Sequence, residues 1–318
     1  MSQILSRQYL NTDSPRKTRL SFFLAILTIV FAFPPSTWAQ VGTFVSFDFP
    51  GAGLTRATDV NNAGVVVGFY NDHTVIHGFM LNQDVFTPID FPGAVLTMVF
   101  GINDGGQMVG RFQTEEGVDH GFVLSNGIFR QIDFPGSISS QCHGINKKGQ
   151  IVGRYFNVEN SGQGGGSGLG HEHGFLLTAD GFTSVDFPNA DTTDAWKITD
   201  SGDIIGDWSS SGALQSGSLH GYILHNGQYS SFDFPDAPGT AGRDMNASGH
   251  LVGVLFDKKC AIPLGHGFVR INESYSAFDF PGSACSTANG LNNSGFIVGG
   301  YSDSTGAQHG YAATLNQR

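Results

Sequence analysis

Short apolar runs rich in Phe, Val and Ile follow one another along the chain, each bounded by Gly, Asn, Asp or Pro. Between Thr97 and Phe134 they predict four strands: Thr97–Ile102, Gln107–Phe112, Gly121–Leu124 and Ile128–Phe134. Asn126-Gly127 joins the last two as a two-residue turn of the primed hairpin kind. Pro135 offers no N–H to a ladder, so it ends the fourth strand.

The same pattern recurs. The triplet Asp-Phe-Pro begins at Asp48, Asp90, Asp133, Asp186, Asp233 and Asp279. Thirteen residues after each Asp stands Asn61, Asn103, Asn146, Thr199, Asn246 or Asn292. Gly follows three and seven residues later, at Gly64 and Gly68 in the first unit. After a stretch of variable length comes His-Gly, at His77, His120, His173, His220, His266 and His309. Constant spacing marks paired strands, where a slip of one residue would turn every side chain over. Variable spacing marks a surface loop, where added length costs little. The longest such loop, about residues 160–172, is Gly/Ser-rich.

Four strands per unit of roughly 40–50 residues predict a β-propeller. The last unit ends after its third strand, and the chain from Val41 to Pro50 supplies a fourth strand with nothing before it. The expectation is therefore an all-β fold: six four-stranded antiparallel blades, the last completed by the N-terminal strand. Counting outward from the two-residue turn sets His120 opposite Asp133. The same count pairs His77 with Asp90, His173 with Asp186, His220 with Asp233 and His266 with Asp279, and leaves His309 to Asp48. A His/Asp couple can serve catalysis or a metal. Six equivalent copies instead predict cross-strand structural pairs. No metal and no cofactor are expected.

Composition narrows the class. Forty-five glycines and 27 phenylalanines in 318 residues suit many tight turns and short strands. A net charge of −11 argues against a nucleic-acid partner. Arg16, Lys17 and Arg19 precede the apolar run Leu20–Phe33, and Thr37 and Ala39 are suitably placed before a cut. Residues 1–39 read as a signal peptide and 40–318 as the propeller domain, placing a monomer in the periplasm or outside the cell, free of the membrane after cleavage.

The combination of Gly-Ile-Asn, Val-Gly, His-Gly-Phe and Asp-Phe-Pro resembles the HAF-type extracellular repeats, with Gly replacing Ala in each His-Ala-Phe core. The resemblance spans about Thr43–Leu315. It implies export and a propeller-like array, and it supplies no catalytic residues.

Two positions of the first strand differ among the six copies. Eight after the Asp stand Arg56, Met98, Gln141, Asp194, Ala241 and Thr287; ten after it stand Thr58, Phe100, His143, Trp196, Arg243 and Asn289. First strands line the axis of a propeller, so Arg56, His143, Asp194, Trp196 and Arg243 form a candidate ligand site. Relaxed packing at a crowded axis would leave the same divergence. Cys260 and Cys285 fall on one face of neighbouring units and predict a disulfide; Cys142 reads as a small buried residue. The expected function is a non-enzymatic binding or scaffold module for a protein or glycan ligand. The alternative is a hydrolase or lyase acting on extracellular carbohydrate.

Overall fold

The computed structural model describes residues 40–157, 171–211, 218–260 and 265–316. Residues 1–39, read above as a signal peptide, and 158–170 of the longest loop lie outside the described residues. Among the described residues every regular element is a strand, and no helix is long and apolar enough to cross a membrane.

Strand β1 (Gln40–Phe47) precedes the first unit, β2 to β5 (Leu54–Val60, Val66–Asn71, Ile76–Asn82, Val85–Ile89). The second unit is β6 to β9 (Leu96–Ile102, Met108–Gln113, Asp119–Ser125, Ile128–Ile132). The third is β10 to β13 (Ser139–Ile145, Ile151–Phe156, Glu172–Thr178, Gly181–Val185). The fourth is β14 to β17 (Thr192–Ile198, Ile204–Ser209, His220–His225, Gln228–Phe232). The fifth is β18 to β21 (Gly239–Met245, Leu251–Phe256, His266–Ile271, Ser274–Phe278). The last unit has β22 to β24 (Cys285–Leu291, Phe296–Ser302, Gln308–Asn316).

Each unit is an antiparallel meander. The second to fifth units are separate four-stranded sheets. The other eight strands form one sheet, in which β1 pairs antiparallel with β24. Six separate sheets were expected and five are found. A single parallel bridge, Leu54 to Gln308, merges the first unit with the last.

The fourth strand is shorter than its apolar pattern suggests. In the second unit it stops at Ile132, two residues before Phe134. There the backbone leaves the ladder, and Phe134 N donates to Ser140 Oγ at 3.0 Å. The equivalent bond reaches Thr55, Thr97, Thr193, Thr240 and Ser286 in the other units. The released Phe ring stacks on the aromatic of the second strand, and the His ring stacks on that aromatic too. Phe91 lies 3.6 Å from Phe112, which lies 5.3 Å from His120. Four more units repeat this stack; the fifth unit has Leu255 in the aromatic's place.

The aromatic after each His-Gly forms the centre of the core. Phe79, Phe122, Phe175, Tyr222, Phe268 and Tyr311 are fully buried. The glycine opposite, such as Gly110, leaves them room, since a Cβ there would stand 2.0 Å from the Met98 carbonyl oxygen and 2.9 Å from the Phe122 ring. Each apolar cluster joins adjacent units: Val67 and Ile89 pack with Val99, Ile102 and Phe122. Ala57 and Val60 pack with Val298 and Ala312, so the first unit meets the last in the same way.

The Asn thirteen after each Asp ties the units together. Asn103 Oδ1 accepts from Gln107 N, while its Nδ2 donates to the Asn146 carbonyl at 2.9 Å. Corresponding bonds run from Asn61 to Asn103, Asn146 to Thr199, Asn246 to Asn292 and Asn292 to Asn61. Thr199 has no amide to donate onward. Asn246 and Asn292 also start glycosylation-like triplets, but both are buried in this role.

Candidate functional site

Every first strand carries a one-residue register shift against the second strand. The extra residues are Thr58, Phe100, His143, Trp196, Arg243 and Asn289, all ten after the Asp. A bulge re-aims its residue and reverses the alternation beyond it. Position nine (Val99, Cys142, Ala195) and position twelve (Ile102, Ile145, Ile198) can therefore both face the core despite their odd separation. The bulge residue and its successor face the axis.

All six bulge residues line one cavity of about 310 Å³. It also takes Arg56, Met98, Asp194 and Thr287 from position eight, and Asp59 and Lys197 from position eleven. Second strands add Phe69, Arg154, Asp207 and Val254. Leu219 and Phe256, beside the variable loops, set this cavity on the loop face. The opposite mouth is a separate depression of about 320 Å³, lined by the asparagine ring and its turns.

Lys197 lines both hollows. Its Nζ lies 2.7 Å from Asp59 Oδ1 and 3.2 Å from Asp244 Oδ2. Asp59 and Asp244 accept backbone N–H bonds from Ile102 and Leu291 of the following units. Burial pushes Asp244 up to about 6, against the pull of Lys197. Burial opposes the charge on Lys197, but Asp244 and Asp59 outweigh it and hold the ammonium above its usual range.

A second polar cluster fills one wall. Arg154 Nη1 contacts Glu172 at 3.0 Å and Asp194 at 3.3 Å, and Nη2 donates to Gln141 Oε1. His143 Nδ1 lies 2.9 Å from Asp194 Oδ1. Burial, with Arg154 nearby, lowers His143 and favours the neutral imidazole. Asp207 Oδ2 accepts from Trp196 Nε1 at 2.9 Å and Arg243 Nη1 at 2.8 Å. Burial pushes Asp207 up to about 7, partly offset by Arg243 and reinforced by Asp194 and Glu172.

Trp196 stacks on His143 at 4.2 Å, and the Arg243 guanidinium carbon stands 4.0 Å from the indole centroid. Two groups at that spacing cannot share one face, so both faces of the indole are taken. What remains for a ligand is its edge.

The five candidate residues Arg56, His143, Asp194, Trp196 and Arg243 thus border one cavity. They are not equally accessible. The His143 side chain is 0% exposed and that of Asp194 3%, so these two support the wall and cannot offer a surface to a ligand. Comparing copies at positions eight and ten alone misses Lys197 at position eleven, and misses Arg154, Asp207 and Phe69 on the second strands. The second-strand position paired with position eight holds Phe69, Arg111, Arg154, Asp207, Val254 and Gly300, which differ just as much.

The His/Asp pairs lie apart from the cavity, on the outer strand pairs. Their Nδ1-to-carboxylate distances are 2.8–3.0 Å in all six, including His309 with Asp48. Cys260 and Cys285 are joined by a disulfide, and Cys142 is fully buried.

Four-stranded meanders packed side by side, with first strands facing a shared cavity, define a propeller-type all-β protein. A solved structure agrees at the level of fold, and two others are similar at lower TM-scores. The putative TolB from Agrobacterium tumefaciens is 12% identical with a TM-score of 0.56, covering 83% of this chain and 91% of that one. The Aleuria aurantia lectin is 8% identical with a TM-score of 0.49, covering 84% and 93%. The β-propeller domain of the Trilobed protease from Pyrococcus furiosus is 10% identical with a TM-score of 0.47, covering 84% and 97%. No protein-family model and no curated protein matches the chain.

Proposed function

We propose that the chain is an exported HAF-type repeat protein, a closed ring of six blades whose last blade is completed by β1. It acts as a non-enzymatic binding or scaffold module in the periplasm or outside the cell, through the cavity on its loop face. One observation carries the binding reading: six bulge residues of six different kinds converge on a single cavity. Positions that serve folding repeat from unit to unit, as the asparagines do; this position does not. A cavity of about 310 Å³ is at the small end for ligand sites. It suits one sugar residue or one side chain of a larger glycan or protein. Export rests on residues 1–39 as a signal peptide and is supported by the Cys260–Cys285 disulfide.

A second reading, carbohydrate hydrolysis or elimination, draws on Asp207, an acid near neutral pKa beside Asp194. Its Oδ2 is already committed to Trp196 and Arg243, which suits a fastening better than a proton donor. A glycan-binding array and a hydrolysis screen on the purified protein test both readings. The expected result is a bound ligand without turnover, weakened in the double variant Trp196→Phe, Arg243→Gln. Turnover abolished by Asp207→Asn would favour the enzyme. A ligand bound equally well by the double variant would remove the cavity from the account.

A further inference from the structure

Four cations line the cavity: Arg56, Arg154, Lys197 and Arg243. Three have carboxylate partners, namely Glu172 and Asp194 for Arg154, Asp59 and Asp244 for Lys197, and Asp207 for Arg243. Arg56 differs. Among the described residues it makes no ion pair. Its Nη2 donates to the neutral Gln308 Oε1 at 2.6 Å, and its buried Nε has no partner. An arginine whose counter-charge is missing is costly when drawn out of water. Arg243, another cation of the same cavity, adds repulsion; burial first and Arg243 second lower the Arg56 pKa to about 10.

The fold nevertheless makes room for it. The Arg56 stem lies over Gly300, where a Cβ would come within 3.1 Å of its Cγ and 3.4 Å of its Nε. The five other units carry a side chain at the place of Gly300. The Phe69 ring lies 5.9 Å from the guanidinium carbon. The site therefore holds a positioned, planar donor group with no anionic partner among the described residues.

We infer that the cavity takes a ligand bearing a carboxylate, and that this carboxylate docks on Arg56. The inference rests on the binding reading of the cavity and names the chemistry of its ligand. A guanidinium fork matches a carboxylate in shape as well as charge. The carboxylate could belong to a sugar acid or to the end of a peptide.

Calorimetric titration of the purified protein with two matched pairs separates the sources: glucuronate against glucose, and N-acetylglycine against N-acetylglycinamide. In at least one pair the anion is expected to bind about tenfold more tightly, or better, than its neutral mate. Arg56→Gln removes that preference, costing the anion more than its neutral mate so that the two bind alike; Arg56→Lys keeps part of it. Equal binding within both pairs, no binding by either anion, or a preference that survives Arg56→Gln overturns the inference. If the glycan screen finds neutral ligands while both anions fail, the binding reading stands and only the carboxylate falls. Should Arg56→Gln not fold, the wild-type preference and Arg56→Lys decide.

Discussion

His309 Nδ1 lies 2.9 Å from Asp48 Oδ2, although 261 residues separate them in the chain. Five other His/Asp pairs make this contact across thirteen residues of one hairpin. β1 therefore stands on β24 as β5 stands on β4, with Phe47 opposite Gly310 as Ile89 is opposite Gly78.

Replacing Asp48 by Asn should cost more stability in acid than in base. Burial opposes the charge on His309, but Asp48, then Asp303, raise its pKa above the usual value. A raised histidine contributes stability below its unfolded pKa of about 6.5, and that contribution is lost as pH rises through the folded value. Thermal melts of wild type and Asp48→Asn should differ more near about pH 5.5 than near about pH 8.5. A constant difference would show that the pair acts only through its shape.

Lys197→Met should be among the most damaging single changes at neutral pH. It leaves Asp59 and Asp244 buried without their shared cation, a loss of about 3–5 kcal/mol. Burial already raises Asp244, and without Lys197 it rises further. Carboxylates raised in the folded state weaken it as pH climbs above their unfolded value of about 4. Urea unfolding should show a smaller deficit near about pH 5 than near about pH 8; a deficit that grew in acid would contradict the account.

Thr97→Val preserves shape and deletes one acceptor. Phe91 N then loses the bond at 3.0 Å that turns the chain from the fourth strand of one unit into the first of the next. The expected cost is about 1–3 kcal/mol in chemical denaturation. A neutral result would mean that water replaces the hydroxyl.

Thiol titration checks the cysteines. Unfolded without reductant, the protein should show one reactive thiol, Cys142, and after reduction three. Folded, it should show none, because Cys142 is fully buried and burial raises its pKa. Reduction should lower stability by about 3 kcal/mol on a loop-entropy basis for a separation of 25 residues.

The sequence by itself determined the strands, their pairing and the outer His/Asp contacts. The reason is local: a two-residue turn at Asn126-Gly127, with φ of 51° and 75°, leaves one register for the hairpin, and the four other hairpins turn over two residues as well. It also contained the bulge, in the odd spacing of buried Cys142 and Ile145, though only a comparison of both positions exposes it. Tertiary structure alone decided which divergent residues meet. Lys197 and Asp59 are 138 residues apart, and Arg56 and Gln308 are 252 apart. No spacing rule links such pairs, because their distance is set by how whole sheets pack around the axis. The same packing buried His143 and Asp194, covered both faces of Trp196, and left Arg56 as the lining cation with no carboxylate partner among the described residues.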